Sequence, residues 1–127
     1  MPRPISTRTH GIIDLIFSGT LFALPFILKW NARARNIALG GAAATLGNTL
    51  MTNFEFGAVK VLPMKAHLSI DAGEASVLLS APKIISDDKW AARLLMMMGA
   101  METTVGALTR TRSPLELAAA PAVPALP

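Results

Sequence analysis

Residues 9–28, THGIIDLIFSGTLFALPFIL, form one apolar run broken by a single acid, Asp14. Twenty residues at 1.5 Å each reach about 30 Å, the thickness of a bilayer's hydrocarbon core. The run therefore reads as a membrane-spanning helix, with Pro2 and Pro4 delaying its start and Ser6 or Thr7 capping its first turn. A signal peptide is the competing reading, because Arg8 precedes the run and Ala32-Arg33-Ala34 resembles a small-x-small cleavage site. The run is too long for such a peptide's apolar core, and it holds an acid.

Around this run lie 127 residues in all, 52% hydrophobic, 16% charged and without cysteine. An average globular domain is about a quarter charged, so few polar residues are left to clothe a water-facing surface. The same numbers exclude a disordered chain, a disulfide scaffold and a Cys-ligated zinc or iron–sulfur site. Three further segments follow: 36–52, rich in glycine and alanine; 66–85, the least apolar; and Trp90 to Leu108. Residues 53–65 read as a loop, and Trp30, at the exit from the first span, as a headgroup anchor. A soluble four-helix protein competes with this reading, since segments two to four are less apolar than typical spans.

The net charge is +4, and the basic residues fall in bursts that suit the ends of spans. With an aromatic fraction of 6% and no recognition motif, nucleic acid is not expected as a partner. Six basic residues fall on each side, so the positive-inside rule does not decide the orientation. Both termini are placed in the cytoplasm of a bacterial-type inner membrane as an expectation.

An offset of 57 residues lays the third segment on the first, aligning His10-Gly-Ile-Ile-Asp14 with His67-Leu-Ser-Ile-Asp71 and Pro25 with Pro82. An offset of 59 lays the fourth on the second, aligning Gly40 with Gly99, Thr45 with Thr104 and Gly47 with Gly106. The chain reads as two copies of one helical hairpin, about 8–53 and about 65–110, within a single transmembrane domain, 1–112. An Ala/Pro-rich tail, 113–127, is expected to be flexible. The fold class expected is an all-α, up-down-up-down four-helix transmembrane bundle with pseudo-two-fold symmetry along the membrane normal.

Two hairpins, each with a histidine and an aspartate early in its first helix and a proline near that helix's end, resemble the SPW-repeat family of small bacterial integral membrane proteins. The prolines of Leu24-Pro25-Phe26 and Ala81-Pro82-Lys83 stand where that family has Ser-Pro-Trp. The resemblance spans roughly residues 8–110. It implies a four-helix membrane protein and brings no catalytic residues.

His10 and Asp14 share one helical face, as do His67 and Asp71, and parallel first helices would set all four at similar depth. Three uses are open: a structural polar layer, a divalent metal or b-type haem held by the histidines, or a proton or cation pathway. Asp14, Asp71, Glu74 and Glu102 all lie within spans and should face inward, because a central acid costs about 2.5–3.5 kcal/mol on insertion scales. Glu102 is expected to approach Asp71 and Glu74, with Thr45, Asn48, Thr103 and Thr104 as alternative partners. Gly40, Gly47, Gly99 and Gly106 suggest close helix packing. Met96, Met97, Met98 and Met101 point in different directions and read as packing.

No phosphate loop, nucleophile elbow or zinc-protease motif is present. The expected role is therefore a non-enzymatic membrane module acting through helix packing, as a homo-oligomer or as a subunit of a larger complex in the lipid bilayer. A metal or haem carrier and a proton or cation pathway stand beside it.

Overall fold

Each long helix begins at a residue whose neighbourhood satisfies the free amides of a helix start. In the computed structural model, which describes residues 2–121, Ser6 Oγ accepts from Thr9 N at 3.1 Å and starts α1, Thr7–Ile27. Asn31 Oδ1 accepts from Ala34 N and starts α2, Ala32–Met51. Pro63 precedes α3, Met64–Leu79, and a four-residue turn, α4, Ala81–Ile84, follows it. Asp88 caps α5, Lys89–Leu108, and a short helix, α6, Pro114–Ala119, closes the described chain. The described residues contain no β-strand.

Two element boundaries differ from the sequence reading. The third segment, expected over 66–85, breaks at Ser80, because Pro82 has no N–H to offer the carbonyl one turn back. The expected flexible tail holds α6, fixed by a capping box in which Ser113 Oγ accepts from Glu116 N while Glu116 accepts from Ser113 N. Glu116 also accepts from Met64 N, which ties α6 to the start of α3. The last part of the expected tail, 122–127, lies outside the described residues.

α1 packs on α2 and α3 on α5, and the two hairpins meet chiefly through α2 and α3. A single offset of 57 relates them throughout. The helix-preceding residues Ser6 and Pro63, the caps Asn31 and Asp88, and the closing threonines Thr52 and Thr109 are each that far apart. This corrects the offset of 59 for the second helices, where matched glycines mislead because small residues recur on any closely packed helix. The buried positions repeat in the same register: Leu21 and Leu78, Ala34 and Ala91, Ala38 and Leu95, Ala42 and Gly99.

The hairpins are interlocked at one end. Ile5 N donates to Leu108 O and Arg110 N to Ile5 O, while Leu62 N donates to Met51 O and Asn53 N to Leu62 O. Each first helix is thereby joined at its start to the close of the other repeat.

α1 is the one described helix long and apolar enough, by length and composition, to cross a membrane; α2, α3 and α5 fall short of that measure. Beside an apolar core, several large apolar side chains are nevertheless exposed and several polar ones buried. Ile16, Phe22, Ile27 and Met97 are more than 60% exposed, whereas His10, His67, Asp71, Thr45 and Asn48 are buried. Trp30, expected at a membrane boundary, is instead buried in the apolar core with Ala34, Ala91 and Leu95, and Trp90 is the exposed indole.

Candidate metal centre

The two repeats bring His10, Asp14, His67 and Asp71 into one buried cluster at the interlocked end. His10 Nε2 lies 3.1 Å from His67 Nε2, 3.1 Å from Asp71 Oδ2 and 3.3 Å from Asp14 Oδ2. His67 Nε2 lies 3.1 Å from each of the same two oxygens. The expected convergence of the four residues is seen.

The outer ring nitrogens determine what those inner nitrogens can do. His67 Nδ1 is 2.8 Å from Thr52 Oγ1, whose hydroxyl donates to Asn48 O at 2.6 Å. His10 Nδ1 is 2.8 Å from Thr109 Oγ1, whose hydroxyl donates to Val105 O at 2.7 Å. A threonine hydroxyl has one hydrogen, and here the backbone takes it. Each threonine must then accept from imidazole, so each Nδ1 carries a hydrogen, and Nε2, which faces the centre, is a lone pair wherever its ring is neutral.

Two imidazole nitrogens and two carboxylate oxygens thus face one another. Four acceptors at this separation repel unless positive charge sits among them. Protonating both Nε2 atoms would set two imidazolium N–H groups head to head within 3.1 Å. A proton on one Nε2 would give a hydrogen-bonded ion pair with a carboxylate; a single metal cation in the middle would satisfy all four ligand atoms at once.

The spacing suits a metal ion. A regular tetrahedron with bonds of about 2.0–2.1 Å, the range of zinc–imidazole and zinc–carboxylate bonds, has edges of about 3.3 Å. Five edges here measure 3.1–3.3 Å. Two imidazoles with two carboxylates suit zinc, or Fe²⁺ and related divalent ions, better than the all-oxygen preferences of Ca²⁺ and Mg²⁺. A b-type haem, open on sequence grounds, does not fit: two axial bonds of about 2 Å would need the nitrogens about 4 Å apart, and the carboxylates occupy the plane a porphyrin would fill.

The carboxylates are oriented too. Asn48 Nδ2 donates to Asp71 Oδ1 at 2.7 Å, and Thr49 Oγ1 donates to Asp14 Oδ2 at 3.2 Å. Phe54, fully buried, lays its ring 5.8 Å from that of His67 and seals the repeat-one side, with Gly11 leaving room for the Phe54 and Phe56 rings. Any Cβ on Gly11 would fall within 3 Å of both rings.

Neither Glu74 nor Glu102 hydrogen-bonds to this cluster. Glu74 is half-buried between α2 and α3 and accepts from Thr45 Oγ1 at 2.7 Å. Glu102 is buried, yet its carboxyl bonds to no described residue, while Thr103 and Thr104 donate to their own helix. Gly99 sits at the α3–α5 crossing, where an added Cβ would lie 2.8 Å from Ala75 O and 2.9 Å from Leu78 Cβ. Gly40, Gly47 and Gly106 have open space above them and pack nothing within the described chain.

Thr52 and Thr109 escape a reading by motif. A constant offset of 57 carried through the second helices would have paired them. No protein-family model, curated protein or solved structure matches this chain.

Proposed function

We propose that this chain is a small multi-span integral membrane protein of the SPW-repeat kind whose two hairpins are tied together by one divalent transition metal, held by His10, Asp14, His67 and Asp71. The observation that carries the reading is the convergence of two imidazole nitrogens and two carboxylate oxygens, five of whose six separations are 3.1–3.3 Å, with both Nδ1–H groups committed to threonines. Outer hydrogen bonds that fix a ligand histidine's tautomer are the usual company of a metal site.

Four protein ligands close a metal's coordination shell, the arrangement of structural rather than catalytic zinc. Each repeat contributes one histidine and one aspartate, so the ion would bridge the hairpins. A closed site favours the non-enzymatic role expected from the sequence. Lipid as the surrounding medium is supported by the exposed large apolar side chains, the buried polar cluster and α1's length. An inner-membrane location with cytoplasmic termini belongs to the same proposal.

The test is direct. Protein extracted in mild detergent without chelators should contain about one divalent metal per chain, and His67→Ala should lose it. Metal-free protein that also takes up no Zn²⁺, Fe²⁺ or Co²⁺ would end the reading.

A second reading concerns assembly. Gly40 and Gly47 face outward with nothing above them, as a helix-packing surface between copies or with another membrane protein requires.

A further inference from the structure

A cleft of about 370 Å³ lies between α3 and α5 at the interlocked end, where α3 starts and α5 closes. The offset of 57 shows how it arises. Where repeat one has Ile12, Leu15, Leu46, Leu50 and Phe54, repeat two has Ser69, Ala72, Thr103, Ala107 and Thr111, and these shorter side chains line the cleft. Leu68 in place of Gly11 and Glu102 in place of Thr45 are the larger ones. The cations do not differ: Arg8 and Lys60 hold in repeat one the positions that Lys65 and Arg3 hold in repeat two, and all four are exposed.

Polarity in the cleft is ordered by depth. Lys65, in the first turn of α3, and Arg3 stand at the rim and enter no ion pair among the described residues. One N–H of the Arg3 guanidinium goes to Thr109 O at 2.9 Å, which pins that head in place and leaves its other N–H groups. Glu102 lies six residues before the end of α5, about 9 Å further in by helical rise. It is 8% exposed, and its carboxyl has no hydrogen-bond partner among the described residues. A carboxyl so enclosed, with no cation paired to it, costs least as the neutral acid, which has one O–H to give and nothing here to receive it. Leu68, Ala72 and Ala107 add apolar wall.

We infer that the α3–α5 cleft holds an anionic phospholipid, its phosphate against Arg3 and Lys65 and an ester carbonyl accepting from Glu102. Cation, neutral donor and apolar wall follow one another inward as phosphate, ester and hydrocarbon do along such a lipid. Basic pockets between helices near a membrane surface are a recurrent way of holding anionic headgroups. A free phosphate would need only the rim and would leave Glu102 without a partner. The inference rests on the reading of lipid as the surrounding medium and is independent of the metal.

The full chain in mild detergent is titrated with phosphatidylglycerol or with phosphatidylcholine in mixed micelles, and the lipid held per chain is counted by native mass spectrometry. Phosphatidylglycerol should be held in preference. Lys65→Gln should weaken it about fivefold, whereas Arg8→Gln, the same loss of charge at the matching place in repeat one, should leave it unchanged. Thr111→Phe, which gives repeat two the aromatic of repeat one and keeps both cations, should abolish retention. Glu102→Leu should weaken it, and Glu102→Gln, which still donates, should not. Retention of neither lipid, equal retention of both, equal loss in Lys65→Gln and Arg8→Gln, or retention undiminished in Thr111→Phe would overturn the site. Complete displacement by millimolar inorganic phosphate would overturn it too, by identifying a free anion as the occupant. Failure of the lipid-medium reading is recognised separately, because the chain would then fold and stay dispersed without detergent.

Discussion

His10 Nε2 and His67 Nε2 face each other across 3.1 Å, and each ring is held from behind by a threonine of the opposite repeat. The cause is the interlocking of the hairpins. Pairing of Ile5 with the end of α5 sets Thr109 over His10, and pairing of Leu62 with the end of α2 sets Thr52 over His67. Positions 57 residues apart thus supply both the ligands and the groups that aim them.

Replacing Thr52 or Thr109 by valine keeps the shape and removes the acceptor for Nδ1–H. The tautomer is then free to invert, and metal affinity should fall by about 10–100-fold. Serine at the same position should restore most of it. Competition against a chelating dye reads both; equal affinity in the valine and threonine forms would show that the hydroxyls do not aim the rings.

The repeated His-x-x-x-Asp is visible in the sequence because its two members sit one turn apart on a single helix face. The threonines are not visible in that way. They lie at helix ends, in Thr52-Asn53 and Thr109-Arg110, where a threonine is ordinary, and only strict register singles them out. Breakage of the third segment at Ser80 was hidden because Pro25, the equivalent of Pro82, stays within its helix. There α1 ends in a Schellman closure, Trp30 N to Pro25 O and Lys29 N to Phe26 O, with Lys29 at φ 52° in a place that usually goes to glycine. Burial of Trp30 follows from that turn, which a reading by hydropathy cannot anticipate.

Removing the metal should loosen the junction between hairpins before it unravels either one. An ion present at a hundred times its dissociation constant contributes about 2.7 kcal/mol, so a chelator should lower the thermal midpoint measurably. His10→Ala protein should melt at one temperature with or without chelator. A chelator shift that persists in His10→Ala would place the stabilising ion elsewhere.

Acid should release the ion. Both imidazole nitrogens bind metal only when unprotonated, so affinity weakens as pH falls, approaching about a hundredfold per pH unit where two protons compete with one ion. Equilibrium titrations at successive pH values measure the slope. Affinity that does not change with pH would exclude histidine ligation.

The glycines should divide into two classes. Gly99→Ala puts a methyl within 3 Å of α3 backbone and should cost about 1–3 kcal/mol. Gly40→Ala and Gly47→Ala meet nothing and should be neutral or stabilising by up to about 1 kcal/mol within one chain. Denaturation curves test the first statement. Sizing of Gly40→Leu and Gly47→Leu in detergent tests the assembly surface: a smaller particle with the same thermal midpoint supports it, and an unchanged particle contradicts it.

X-ray absorption at the K-edge of the ion bound to purified protein examines the centre most directly. Two imidazole nitrogens and two carboxylate oxygens at about 2.0–2.1 Å, in a four-coordinate shell, are the result expected from His10, Asp14, His67 and Asp71. A shell of six oxygens, or one with fewer than two imidazoles, would contradict it.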